Sequence, residues 1–166
     1  MKTINRFLAG LLAVIIAAAA MPVPSFASED VFYIRNNYTT DAFLYESDGV
    51  LRYGIPLKGD KEFLWTLEEC NGSSLIKNLA TGRYITLSGH ADESVEGYWG
   101  DIVSCLDFAE GDDTFLWTVS PQKGQNIISA STKYSGFSLH LENASNGQVI
   151  GQKISGDQLN WGNMKW

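Results

Sequence analysis

At 166 residues, 45% hydrophobic and 12% aromatic, the chain is too apolar for a disordered tail, and its length suits one domain rather than two. A formal net charge of −7, with no Lys/Arg cluster longer than a pair, repels phosphate backbones and argues against nucleic acid as a ligand.

The first element is a leader. Lys2 and Arg6 precede an apolar run from Phe7 to Ala20, followed by Pro22, Pro24 and the small residues Ser25 and Ala27. A basic start, a short apolar core and a small-residue cleavage signature predict a secretory signal peptide over 1–27, and the core is short for a transmembrane span. Cleavage after Ala27 leaves 139 residues, 28–166, with 10 basic against 19 acidic side chains and a balance of −9. No second run of 18 apolar residues follows, so the mature chain is expected to be secreted and extracellular, without membrane insertion.

The mature chain repeats itself. Its first third opens with an apolar strand at Phe32–Asn36, turns at Tyr38–Asp41, and continues with strands at Phe43–Tyr45 and Leu51–Leu57. It then reaches Gly59-Asp60-Lys61-Glu62-Phe63-Leu64-Trp65-Thr66-Leu67. The second third repeats this order with Ser74–Asn78, Tyr84–Leu87, Ile102–Phe108 and Gly111-Asp112-Asp113-Thr114-Phe115-Leu116-Trp117-Thr118-Val119. The last third has Asn126–Ala130, Phe137–Leu141, Val149–Ile154 and a shorter motif, Gly156-Asp157-Gln158-Leu159-Asn160-Trp161. No 3.6-residue periodicity survives beyond the leader, and turn residues recur every eight to twelve positions, as in all-β barrels and sandwiches.

Three copies of a four-strand unit predict an all-β, β-trefoil domain over 28–166, with pseudo-symmetric repeats at about 31–70, 73–120 and 125–166. One repeat cannot bury its own apolar face, whereas three around an axis share a core. Burying roughly 200 Å² of indole contributes about 5 kcal/mol as an upper bound, so Trp65, Trp117 and Trp161 are read as core anchors rather than ligand platforms. Trp166 is expected to close the barrel against the first strand.

In these stretches the chain resembles the ricin B-type β-trefoil family of lectin-like modules. The likeness is best from Gly136 to Ile150 and over 156–161, where a Leu-rich strand, an Asn/Gly turn and a tryptophan strand follow one another. The family's Q-x-W signature is replaced, with Phe63, Phe115 and Leu159 in the glutamine place. The family's sugar-binding Asp falls at Tyr45, Thr86 and His140, none of them acidic. The resemblance therefore implies the fold and, more generally, carbohydrate recognition without catalysis. That departure makes the sequence resemble divergent secreted trefoils, which include protease inhibitors, and this gives the alternative of an inhibitor or effector docking an extracellular protein through an exposed loop.

Three segments are candidate ligand contacts. The longest irregular stretch, 88–101, carries Tyr98 and Trp99 among four carboxylates, a platform for a sugar face or a protein partner. In the third repeat, His140, Glu142, Asn143, Asn146, Gln148 and Gln152 concentrate polar groups around a predicted hairpin. In the first, Glu46, Asp48 and Tyr53 form a smaller set. Catalysis is not expected: adjacent carboxylates such as Glu68-Glu69 point to opposite faces of a strand, and no nucleophile or phosphate-loop motif occurs. Two cysteines and two histidines lack metal-ligand spacing, so no metal or other cofactor is expected. Cys70 and Cys105 are read either as a disulfide, closing a loop worth roughly 3–4 kcal/mol, or as two buried thiols. Asn37, Asn71 and Asn143 begin N-glycosylation acceptor triplets.

Overall fold

Alternating burial shows how the apolar runs become strands. In Phe43–Ser47, Leu44 and Glu46 are buried while Phe43, Tyr45 and Ser47 are half-exposed, the period-2 pattern of a strand with one face on a core. The computed structural model describes residues 30–38, 42–89, 101–122, 124–131, 136–143, 148–153 and 162–166. Repeat 1 supplies β1 (Phe32–Tyr33), β2 (Phe43–Ser47), β3 (Val50–Gly54) and β4 (Leu64–Cys70). Repeat 2 supplies β5 (Ser73–Asn78), β6 (Tyr84–Gly89), β7 (Asp101–Leu106) and β8 (Trp117–Gln122). Repeat 3 supplies β9 (Gln125–Ala130), β10 (Phe137–Asn143) and β11 (Gln148–Lys153). Among the described residues the only helical elements are 3₁₀ turns, at Lys61–Phe63, Asp113–Phe115 and Gly162–Met164.

All pairings among the described residues are antiparallel. The hairpins β2–β3, β6–β7 and β10–β11 form a cap in which β3, β7 and β11 touch cyclically, through Val50–Ser104, Ile150–Ile102 and Gln148–Arg52. Beneath it, β1, β4, β5, β8 and β9 pair in succession around the core. Two hairpins turn on residues whose positive φ matches the twist of a two-residue type I′ turn: Asp48-Gly49 (54° and 82°) and Asn71-Gly72 (52° and 78°).

The threefold repeat is written in hydrogen bonds. Each core indole donates to a carbonyl of its own repeat's hairpin: Trp65 Nε1 to Leu44 O (3.1 Å), Trp117 Nε1 to Ile85 O (2.8 Å) and Trp166 Nε1 to Leu139 O (2.9 Å). The residue before each indole accepts from the backbone in an equivalent way: Leu64 O from Leu79 N (2.8 Å), Leu116 O from Ser131 N (2.9 Å) and Lys165 O from Asn37 N (2.8 Å). Trp166 also exchanges both backbone hydrogen bonds with Asn126, in the register of Trp117 with Ser74. The architecture is the expected β-trefoil, with Lys165 bonded to Asn37 after β1 and Trp166 paired with Asn126 on β9.

This pattern corrects the register of the third motif. The indole equivalent to Trp65 and Trp117 is Trp166, and the 3₁₀ turn Gly162–Met164 stands where Lys61–Phe63 and Asp113–Phe115 stand. Trp161, the anchor expected from sequence, lies outside the described residues. Met164 and Lys165 occupy the places of Phe63-Leu64 and Phe115-Leu116, which hides the match in the sequence. Eleven strands lie among the described residues, and Trp166 stands at the position where Trp65 and Trp117 enter β4 and β8.

The cysteines are not paired. Cys105 on β7 is fully buried in the core beside Ile85, its backbone N–H bonded to Gly49 O (2.8 Å), whereas Cys70 lies at the tip of the β4–β5 hairpin. Burial, and after it the negative charge of Glu46, pushes the Cys105 thiol up from its ordinary value, partly offset by Arg83. Iodoacetamide at neutral pH should therefore label Cys70 and spare Cys105 until the protein is denatured, as read by peptide mass mapping. The raised thiol has a second consequence. Above the ordinary cysteine value of 9.0 the unfolded chain ionises while the native thiol stays protonated. Native protein then binds more protons, and stability should fall as pH rises, a slope that Cys105→Ala should lessen.

Candidate functional site

The equivalent hairpin positions Tyr45, Thr86 and His140 are where the resemblance would place a sugar-binding carboxylate. Each is used for packing here. Tyr45 stacks on Phe63 at 4.7 Å between ring centroids, over Gly54, where a Cβ would stand 3.3 Å from the Tyr45 ring. Thr86 is buried and donates to Thr114 Oγ1 (2.8 Å) on the neighbouring 3₁₀ turn. His140 is only 4% exposed, paired across the hairpin with Ile150.

Beside Tyr45 the surface opens. A pocket of about 380 Å³ lies between the β2–β3 hairpin, the first 3₁₀ turn and the β5–β6 turn, lined by Tyr45, Glu46, Ser47, Asp48, Glu62, Thr81 and Arg83. The β5–β6 turn is fixed by Asn78, whose Oδ1 accepts from the N–H groups of Ala80 (3.0 Å) and Thr81 (3.2 Å). Asn78 Nδ2 donates to Glu62 O (2.7 Å), joining this turn to the wall that carries Glu62. Three elements thus hold the pocket rigidly around polar groups.

Its floor is a buried ion pair. Glu46 points inward from β2 at the place filled by Leu87 in β6 and Leu141 in β10, and is 3% exposed. Its Oε1 accepts from Gly49 N (2.6 Å) and Arg83 Nη1 (3.2 Å). Its Oε2 is buried and has no hydrogen-bond partner among the described residues. Arg83 is half-exposed and reaches this carboxylate from the neighbouring repeat. The pocket therefore offers hydroxyls, carboxylate acceptors, a guanidinium donor and one aromatic ring, the inventory that holds a polyhydroxyl ligand.

The other candidate residues are dispersed. His140 lies in the buried layer, where β9, β11 and the Gly162–Met164 turn pack around β10. Gln152 is half-buried on β11 opposite Ser138. Asn143 and Gln148 pair across the β10–β11 hairpin, beyond a bulge after Leu141, but the side chains of Glu142, Asn143 and Gln148 fall outside the described residues. Tyr98, Trp99 and Asn146 fall outside them altogether. Of the first-repeat set, Glu46 and Asp48 line the pocket, whereas Tyr53 packs against the core. Asn37 and Asn71 are exposed. Among the described residues no group of His, Cys, Asp and Glu is placed to hold a metal.

No protein-family model matches the sequence, and no curated protein sequence matches it either. Solved structures do. A lectin from Polyporus squamosus, solved bound to the epitope Neu5Aca2-6Galb1-4GlcNAc, superposes with a TM-score of 0.65 at 22% identity, over 86% of this chain and 49% of that one. The designed 3-fold symmetric protein ThreeFoil superposes with a TM-score of 0.62 at 20% identity, over 82% of this chain and 95% of the design. The fold is a β-trefoil, shared with these structures. A Clostridium perfringens endo-β-galactosidase that releases GlcNAcα1-4Gal also matches, with a TM-score of 0.64 at 24% identity. This trefoil covers 83% of its own length there and 32% of the enzyme. It spans about half or less of the lectin and enzyme chains.

Proposed function

We propose that this trefoil is a secreted, non-catalytic carbohydrate-binding module, released by cleavage after Ala27, that holds its glycan in the first-repeat pocket. The observation that carries the reading is the pocket itself: rigid walls, hydroxyls, carboxylates and a guanidinium at the hairpin next to Tyr45, on a lectin-like fold. A single shallow site binds weakly, so avidity from several molecules would matter. A glycan array should give hits that Ser47→Trp, which places an indole in the pocket mouth, weakens at least about tenfold without moving the melting temperature. Silence across the array, or hits indifferent to Ser47→Trp, would sink the reading. Mass analysis of the exported protein should find Ser28 at the N-terminus.

A second reading, contact with an extracellular protein, draws on a different feature. Ile55 and Leu57 are 64% and 72% exposed in a loop held by Leu57 N to Asp60 Oδ2 (2.8 Å) and Asp60 N to Leu57 O (3.2 Å). A preorganised apolar loop of this kind suits docking. The 88–101 loop, the sequence-based choice for such a contact, lies mostly outside the described residues. An array that stays silent while Leu57→Asp abolishes inhibition of a test protease would favour this second reading.

A further inference from the structure

The charges of the first-repeat pocket do not balance. Its one cation among the described residues, Arg83, is already held by Glu46, which is buried and faces no other cation among them. Asp48 is exposed at the hairpin tip and Glu62 is half-buried on the opposite wall, and neither forms an ion pair among the described residues. Beneath them, Glu46 Oε2 is a buried acceptor that no described donor satisfies. The pocket thus carries two carboxylates without counter-charge and a third whose second oxygen lacks a donor. The chain as a whole is acidic as well, at −7. A site with this balance repels sialic, uronic and sulfated sugars and attracts a cation.

We infer that the pocket selects amino sugars carrying a free, protonated amine, the ammonium lying between Asp48 and Glu62 while the sugar hydroxyls meet Ser47, Thr81 and Arg83. This rests on the carbohydrate reading above and narrows it. An ammonium brings three donors and no acceptor, which suits a wall of acceptor oxygens. An N-acetylated sugar of the same ring has lost the charge, and an acidic sugar reverses it.

The test compares matched ligands. Chitosan oligomers, whose glucosamine units have free amines, and chitin oligomers of the same length, fully N-acetylated, are titrated calorimetrically against the full-length secreted protein at mildly acidic pH. Chitosan should bind at least about tenfold more tightly, and the difference should shrink as salt rises from about 0.05 to 0.5 M. The double variant Asp48→Asn, Glu62→Gln should abolish the preference. Asn is chosen at 48 because it tolerates the left-handed φ of 54° that this turn requires. Chitin binding as tight as chitosan, or a preference that survives the double variant, overturns the inference and leaves the carbohydrate reading standing. If neither oligomer nor any arrayed glycan binds, both fall together.

Discussion

Trp166→Ala should cost the fold about 3–5 kcal/mol, as much as the same change at Trp65 or Trp117. All three indoles are buried, Trp65 and Trp117 completely and Trp166 to within 8%, and each satisfies a hairpin carbonyl that would otherwise be orphaned inside the barrel: Leu44 O, Ile85 O or Leu139 O. Removing the ring therefore leaves a cavity and an unpaired buried acceptor together. A domain of this size has roughly 5–15 kcal/mol of stability in total, so each variant should lie near the edge of folding. The melting temperature should fall by roughly 10–15 °C, measured by calorimetry or circular dichroism. Near-equal losses at the three sites are the signature of threefold equivalence. A mild effect at position 166 would mean that the C-terminal indole does not complete the set and that the register assigned to the third repeat is wrong.

What the sequence reveals of this fold depends on how each repeat conserves its chemistry. Phe63-Leu64-Trp65-Thr66 and Phe115-Leu116-Trp117-Thr118 are the same words, and their recurrence makes the trefoil legible before any coordinate. In the third repeat the same backbone geometry is built from Gly162-Asn163-Met164-Lys165-Trp166, while Gly156-Asp157 and Trp161 imitate the motif five residues early. The Nε1–carbonyl hydrogen bond, the Lys165–Asn37 rung and the Trp166–Asn126 pair distinguish the two, and all are long-range. The site divides in the same way. Glu46 and Asp48 are visible as carboxylates beside a predicted turn. Arg83, 37 residues from Glu46, belongs to another repeat and carries no local signal, nor do Glu62 and Thr81. Around His140 period-2 reasoning assumes one solvated face, whereas Ser138, Leu139, His140 and Leu141 are all buried in succession. The even cysteine count misleads because Cys105 points into the core, away from the hairpin tip that carries Cys70.

Arg83→Ala should destabilise by about 2–3 kcal/mol, less than the full penalty for breaking a buried pair because the guanidinium is itself partly in water. The loss falls on Glu46. Its side chain is 1% exposed, so without Arg83 the carboxylate keeps only the Gly49 N–H as donor and sits charged among Leu44, Leu51 and Cys105. Glu46→Leu is the informative counterpart. Leucine already occupies this place in the other two hairpins, as Leu87 and Leu141, and Arg83 can return to solvent when its partner is gone. The variant should be near neutral, within about 1 kcal/mol of wild type, the gain in core packing offsetting the lost Gly49 contact. The double variant should be no less stable than Glu46→Leu alone, since Arg83 then has nothing to compensate. Urea titrations of the four proteins read these differences directly. If Glu46→Leu loses several kcal/mol, the ion pair is a structural anchor. If it is neutral and glycan binding disappears with it, the pair is kept for the pocket, and the buried acid marks where recognition was placed at a position that leucine fills in the other two hairpins.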